Sequence, residues 1–130
     1  MTSTRLIGFP INSYKILKPF ELQQFFNHGI FAGTVFDKKS GFIHLCKDLK
    51  QTKQTIWKFY QYESIKILQL PNDKLFGLKF ESNGPGRELY PHLYSKLIIE
   101  QIEKIYSIDF DENQFNSYEK KINQLDKIIK

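Results

Sequence analysis

Cysteine, arginine and long apolar runs are what this chain has least of. One cysteine in 130 residues, Cys46, excludes an internal disulfide and fits a reducing compartment. Only two of the nineteen basic residues are arginines, Arg5 and Arg87, and the lysines are scattered. Without an Arg-rich arm, RNA is a weak candidate partner. No segment approaches the roughly 18 apolar residues of a membrane span, and the opening MTSTRLIGFPINSY lacks the apolar run of a secretory signal. Neither CxxC nor HExxH occurs, which removes two common metal signatures. The expectation is a soluble, cytoplasmic protein with no membrane partner and no metal.

What is present is a globular composition. Hydrophobic residues make up 41% and aromatics 15%, with twelve Phe and seven Tyr, enough to build a core without staples. The formal net charge of +5 favours a small anionic ligand, such as a nucleotide or a phosphorylated metabolite. Nothing in the charge pattern identifies a protein partner.

The periodicity divides the chain into a 1–12 extension, a 13–110 domain and a polar 111–130 tail. SYKIL (13–17) reads as a strand. Pro19 then opens a helix that stops at His28-Gly29 and sets Phe20, Phe25 and Phe26 near helical spacing, with Leu22 beside them. GIFAGTVFDKKSG (29–41) reads as a glycine-punctuated connection with a turn at Asp37–Ser40. A second helix is expected over 47–60. SIKILQL (64–70) and KLFGLKFES (74–82) read as strands, ESNGPGRE (81–88) as a loop, and YPHLYSKL (90–97) as a return to extended structure. Residues 97–110 fit either period, and a helical turn leading into a closing strand is the preferred reading. Ile122, Leu125 and Ile129 keep helical spacing in the tail, which suits a marginal helix against the body or a partner. Together these predict an α+β domain: a small mixed or antiparallel sheet with two to three helices.

Two segments carry chemistry. On a strand, alternate side chains share a face. GFIHLC (41–46) therefore sets Phe42, His44 and Cys46 on one side, and YPHLY (90–94) does the same with Tyr90, His92 and Tyr94. If both faces line one cleft, two imidazoles, a thiol and two phenols meet an aromatic wall, the mixture expected of a small-molecule site. Glu81, at a strand end, would add a carboxylate, and Arg87, in the adjacent glycine loop, an anion-binding group. Against this stand plain structural readings. A strand histidine is commonly a satisfied core residue, the tyrosines suit packing, Arg87 a solvated loop, and Lys15 an exposed strand lysine. A zinc site from His44 and Cys46 with His92 or Glu81 is chemically conceivable but has no supporting motif.

YKI (14–16), GIFAGT (29–34), SGFIHLC (40–46), Glu81 and YPHLYSKL (90–97) resemble the domain-of-unknown-function family 952, across about residues 13 to 108. Its pattern carries D-G-F-I-H-L-S and F-P-H-L-Y-G, from which this chain departs at Ser40, Cys46, Tyr90 and Ser95. A serine in relatives where Cys46 stands speaks against a thiolate metal ligand. The order of elements is also similar to the ADP-ribosyltransferase split fold, in particular its RNA 2′-phosphotransferase branch, whose cleft binds NAD. That resemblance implies NAD as cofactor and transferase chemistry, with His44, His92 and Glu81 as catalytic candidates. It implies that His44 holds a ribose hydroxyl or phosphate, that Cys46 replaces a hydroxyl donor, and that Tyr94 or Phe42 stacks on a flat ring. Lys15 and His92 would meet phosphate, with Arg87 as a further anion contact. The rival expectation is a non-catalytic module that uses the same cleft to hold a ligand or a partner.

Overall fold

Six residues with buried side chains at five positions, Asn12–Leu17, form β1, the strand from which the site is organised. The structure, a computed structural model, describes residues 11–82, 84–86 and 88–129. Most of the expected N-terminal extension and Arg87 therefore lie outside the described residues. Pro19 occupies the first position of α1 (Pro19–His28), where its missing N–H costs nothing, and Gly29 ends the helix in the left-handed conformation with its N–H on the Phe25 carbonyl. Leu22 and Phe25 form the buried face of α1, while Phe20 and Phe26, expected beside them, are exposed. Then follow β2 (Ile30–Phe31), α2 (Val35–Ser40), β3 (Ile43–His44), α3 (Leu49–Phe59) and β4 (Ile65–Pro71). The order closes with β5 (Leu78–Ser82), β6 (Leu89–Leu93), β7 (Leu97–Ile98), β8 (Lys104–Ile108), α4 (Phe115–Asn123) and α5 (Leu125–Ile128).

The class is α+β, and all the named strand pairs are antiparallel. Strands order as β1-β4-β8 in one sheet and β3-β6-β5 in another, with β2-β7 a separate pair. The two larger sheets are stitched by reciprocal backbone hydrogen bonds between Tyr14 and Cys46, both 2.8 Å. Among the described residues there are five α-helices rather than two or three. The addition within the domain is α2, and the tail divides into α4 and α5.

β4 is central and has no wet face: Ile65 and Ile67 enter one buried cluster, Leu68 and Leu70 the other. The first cluster includes Tyr14, Ile16 and Ile56 together with Tyr118, Ile122, Leu125 and Ile129 of the tail. The tail thus completes the core against the body of the chain. The second cluster joins Leu22 and Phe25 to Ile43, Leu45, Leu93 and Leu97 beneath the site. In 74–82 the expected single strand is shorter, because a 3-10 turn ends at Lys74 and Gly77 takes φ 77° before β5 begins.

Candidate functional site

The register of β3 on β6 brings the two histidines together. Ile43 pairs with Leu93 and His44 with His92, so the imidazoles are direct cross-strand neighbours on one face. Their ring centroids lie 5.8 Å apart, edge to face. Ile43, Leu45 and Leu93 occupy the opposite face and anchor the strands in the core. Phe42 meets both rings, stacked on His92 at 3.9 Å and tilted on His44 at 4.5 Å, and Phe36 stacks on His44 at 4.5 Å.

Each histidine is oriented by a carboxylate. His44 Nδ1 lies 2.8 Å from Asp37 Oδ1, and the same oxygen accepts the His44 backbone N–H at 3.0 Å. Asp37 is delivered by α2, whose N-terminus is a capping box: Thr34 Oγ1 accepts from the Asp37 N–H, and Asp37 Oδ2 accepts from the Thr34 N–H. Gly33, at φ 115°, makes room for it, since a Cβ there would come within 2.8 Å of the Asp37 Cβ. Lys15 Nζ completes the shell, donating to Asp37 Oδ2 at 2.9 Å and to the His44 carbonyl at 2.8 Å.

Burial alone would raise the Asp37 pKa. The charge and hydrogen bond of Lys15, with the N–H groups of Thr34 and His44, outweigh burial and hold the carboxyl below its ordinary range. His44 moves down as well: burial disfavours the imidazolium, Lys15 and His92 oppose it, and Asp37 offsets this only in part. His44 is therefore neutral at pH 7. With an ionised acceptor at Nδ1, the ring proton sits there and Nε2 carries the lone pair.

The second pair differs in kind. His92 Nδ1 lies 2.9 Å from Glu81 Oε1, which also accepts from the Tyr94 hydroxyl at 2.6 Å. These bonds, Tyr94 first and His92 second, hold the Glu81 carboxyl below its usual value. β5 supplies Glu81 because its alternation turns Lys79 and Glu81 toward the face that β6 gives to Tyr90 and His92. Lys79 Nζ rides over the Tyr94 ring at 5.2 Å.

Both carboxylate–imidazole pairs, with Lys15, Phe36, Phe42 and Tyr94, line one open cleft of about 1240 Å³ between the β3-β6-β5 face, α2 and the flank of α3. Among the residues singled out in the sequence, His44, His92, Glu81, Lys15, Phe42, Cys46 and Tyr94 fall on its lining. Two of their expected environments need correction. Lys15 is a buried counter-ion with two of its three ammonium protons donated inside the protein, so it is no open phosphate clamp. Cys46 is a core residue whose thiol reaches Thr55 Oγ1 at 3.5 Å, and burial pushes its pKa up. No group of three or more potential metal ligands occurs among the described residues. In the sequence, Glu81 is the carboxylate expected in the cleft. The carboxylate that sequence reading missed is Asp37, and its available signal was the Thr34-x-x-Asp37 capping box inside what reads as a loop.

The family model described as "Protein of unknown function (DUF952)" matches residues 16–105, and the chain belongs to that family. The crystal structure of protein CC0527 from Caulobacter crescentus is similar, with a TM-score of 0.70 and 26% identity over 83% of this chain and 98% of that one. The solution NMR structure of CC0527 gives a TM-score of 0.68 and 28% identity over 79% of this chain and 89% of that one. No curated protein matches. Among the described residues, no helix is long and apolar enough to cross a membrane.

Proposed function

We propose that this member of the family binds NAD or a related nucleotide in the cleft and transfers its ADP-ribosyl group, with His44 as the proton acceptor. The observation that carries this reading is the Asp37–His44 pair. It offers a neutral, oriented imidazole to a cleft walled by aromatic rings, beside a second carboxylate–imidazole pair on the neighbouring strands. The bond from ribose C1′ to nicotinamide breaks, and its electron pair leaves with neutral nicotinamide. An acceptor hydroxyl forms the new C1′–O bond and gives its proton to His44 Nε2. Phe36 and Tyr94, both exposed, are the rings available to stack on the ligand. Glu81, held by Tyr94 and His92, is placed to accept from ribose hydroxyls. The split-fold resemblance stated above supports the same assignment.

Calorimetry with NAD tests binding, and nicotinamide release tests turnover. Wild type is expected to bind NAD in the millimolar range or tighter, and His44→Ala to lose both signals. A wild-type chain silent at millimolar NAD, or equal binding by wild type, His44→Ala and His92→Ala, overturns the reading. One observation favours the non-catalytic alternative. The His92 side chain is 4% exposed beneath Phe42, as a structural imidazole would be. That alternative predicts ligand affinity that falls steeply with salt and no release of nicotinamide.

A further inference from the structure

Burying a lysine is costly, and β1 spends one where a methionine would fill the space. The Lys15 side chain is 7% exposed and its partner Asp37 1%. The ammonium group reaches past its own sheet to grip two groups that belong to the setting of one residue, the Asp37 carboxylate and the His44 carbonyl. Asp37 in turn takes the backbone N–H and ring Nδ1 of His44 on a single oxygen. All three polar handles of His44 other than Nε2 are thus held by this ion pair. Nε2 has no hydrogen-bond partner among the described residues, and the ring is 23% exposed, open to the cleft.

We infer that Lys15 is a positioning residue acting through Asp37, which keeps His44 uncharged with its proton on Nδ1 and so selects ligands that present a hydroxyl or N–H donor to Nε2. A lone carboxylate at 2.8 Å would pull His44 toward imidazolium, whose Nε2–H donates and would choose an acceptor such as phosphate oxygen. Burial of the ring opposes that pull first, and the cation on the other carboxylate oxygen, 2.9 Å away, offsets a further part of it. Among the described residues, His92 from β6 lies edge to face with the ring at 5.8 Å, and Glu81 of β5, Tyr90 of β6, Tyr94, Cys46, Lys18, Glu21, Lys58 and Tyr60 line the same cleft. Glu81 spends its Oε1 on His92 and Tyr94. The ligand preference rests on the proposed function; the state of the ring does not, and is measured without ligand.

Long-range 1H–15N correlation spectra of the full chain, labelled at histidine, report the tautomer and titration of His44 directly. Wild type is expected to show Nδ1–H and a bare Nε2 at neutral pH. Lys15→Met leaves Asp37 unopposed and raises the His44 midpoint by about one unit or more. Asp37→Asn keeps the volume but leaves Lys15 without its anion, and lowers the midpoint below wild type. An Nε2–H tautomer in wild type, or a Lys15→Met midpoint at or below the wild-type value, overturns the inference. Should Lys15→Met not fold, Asp37→Asn decides alone, and a midpoint equal to or above wild type overturns it. Failure of NAD to bind wild type would sink the proposed function while these spectra still report on Lys15.

Discussion

The two histidines share one sheet face and each meets a carboxylate through Nδ1, yet the burial of the two pairs is reversed. In the first pair the carboxylate is sealed, Asp37 at 1%, and the ring is open, His44 at 23%. In the second the ring is sealed, His92 at 4%, and the carboxylate is open, Glu81 at 39%. A buried charge must be fully paired, and Asp37 is, by Lys15 and two backbone N–H groups besides the imidazole. An open carboxylate needs no such shell, and Glu81 makes do with His92 and Tyr94. The difference teaches which atom each pair offers: an imidazole nitrogen in one, a carboxylate oxygen in the other.

Removing Asp37 is the largest blow to that contrast. Asp37→Ala strands Lys15 as an uncompensated buried cation and orphans the Thr34 and His44 N–H groups. The expected loss is about 3–5 kcal/mol, read from the chemical denaturation midpoint. Next comes His92→Ala, which removes the ring beneath Phe42 and costs about 1–3 kcal/mol, while His44→Ala, at the open position, costs less. In ligand binding the order reverses, with His44→Ala the more damaging of the two. If His44→Ala proves the more destabilising variant, the contrast in burial has been misjudged.

Acid sharpens the comparison further. Both His44 and Asp37 have folded values below their ordinary 6.5 and 3.8, so on acidification the unfolded chain binds each proton first. The His44 contribution is fully present above pH 6.5 and begins to be lost as pH falls through that value. The Asp37 contribution follows below 3.8 and disappears as pH falls through its lower folded value. Stability measured against pH should therefore decline in two stages, and Lys15→Met should shrink the first, because its His44 value rises toward the ordinary one. The smallest effect belongs to Glu81→Gln, a partly exposed site where the change keeps shape and the acceptor oxygen. It is expected to leave the denaturation midpoint at the wild-type value while weakening NAD binding. A shifted midpoint would mean Glu81 is structural.

Much of the frame can be read from sequence because its signals are local. Pro19 at a helix start and His28-Gly29 at its end mark α1, since a missing N–H and a left-handed terminal residue are properties of those residues alone. The alternation in GFIHLC and YPHLY likewise sets His44 and His92 each on a definite strand face. Other features need the surroundings. Phe20 and Phe26 share helical spacing with Phe25, but only Phe25 and Leu22 find a partner surface. Residues 34–40 look like a glycine-bounded loop, yet the capping box at Thr34 opens a helix whose Asp37 is also held by Lys15 and His44. Lys15 reads as a solvated strand lysine until its counter-ion is seen across 22 residues of sequence.

What the sequence determined by itself is the alternation of faces and the punctuation of helices, because both depend on backbone period and on single residues. What tertiary structure alone decided is that His44 pairs with His92, that Asp37 stands behind His44, and that Lys15 stands behind Asp37. Those relations cross between strands and a helix far apart in the chain. The burial that gives each charge its meaning comes into being only when the sheets close over it.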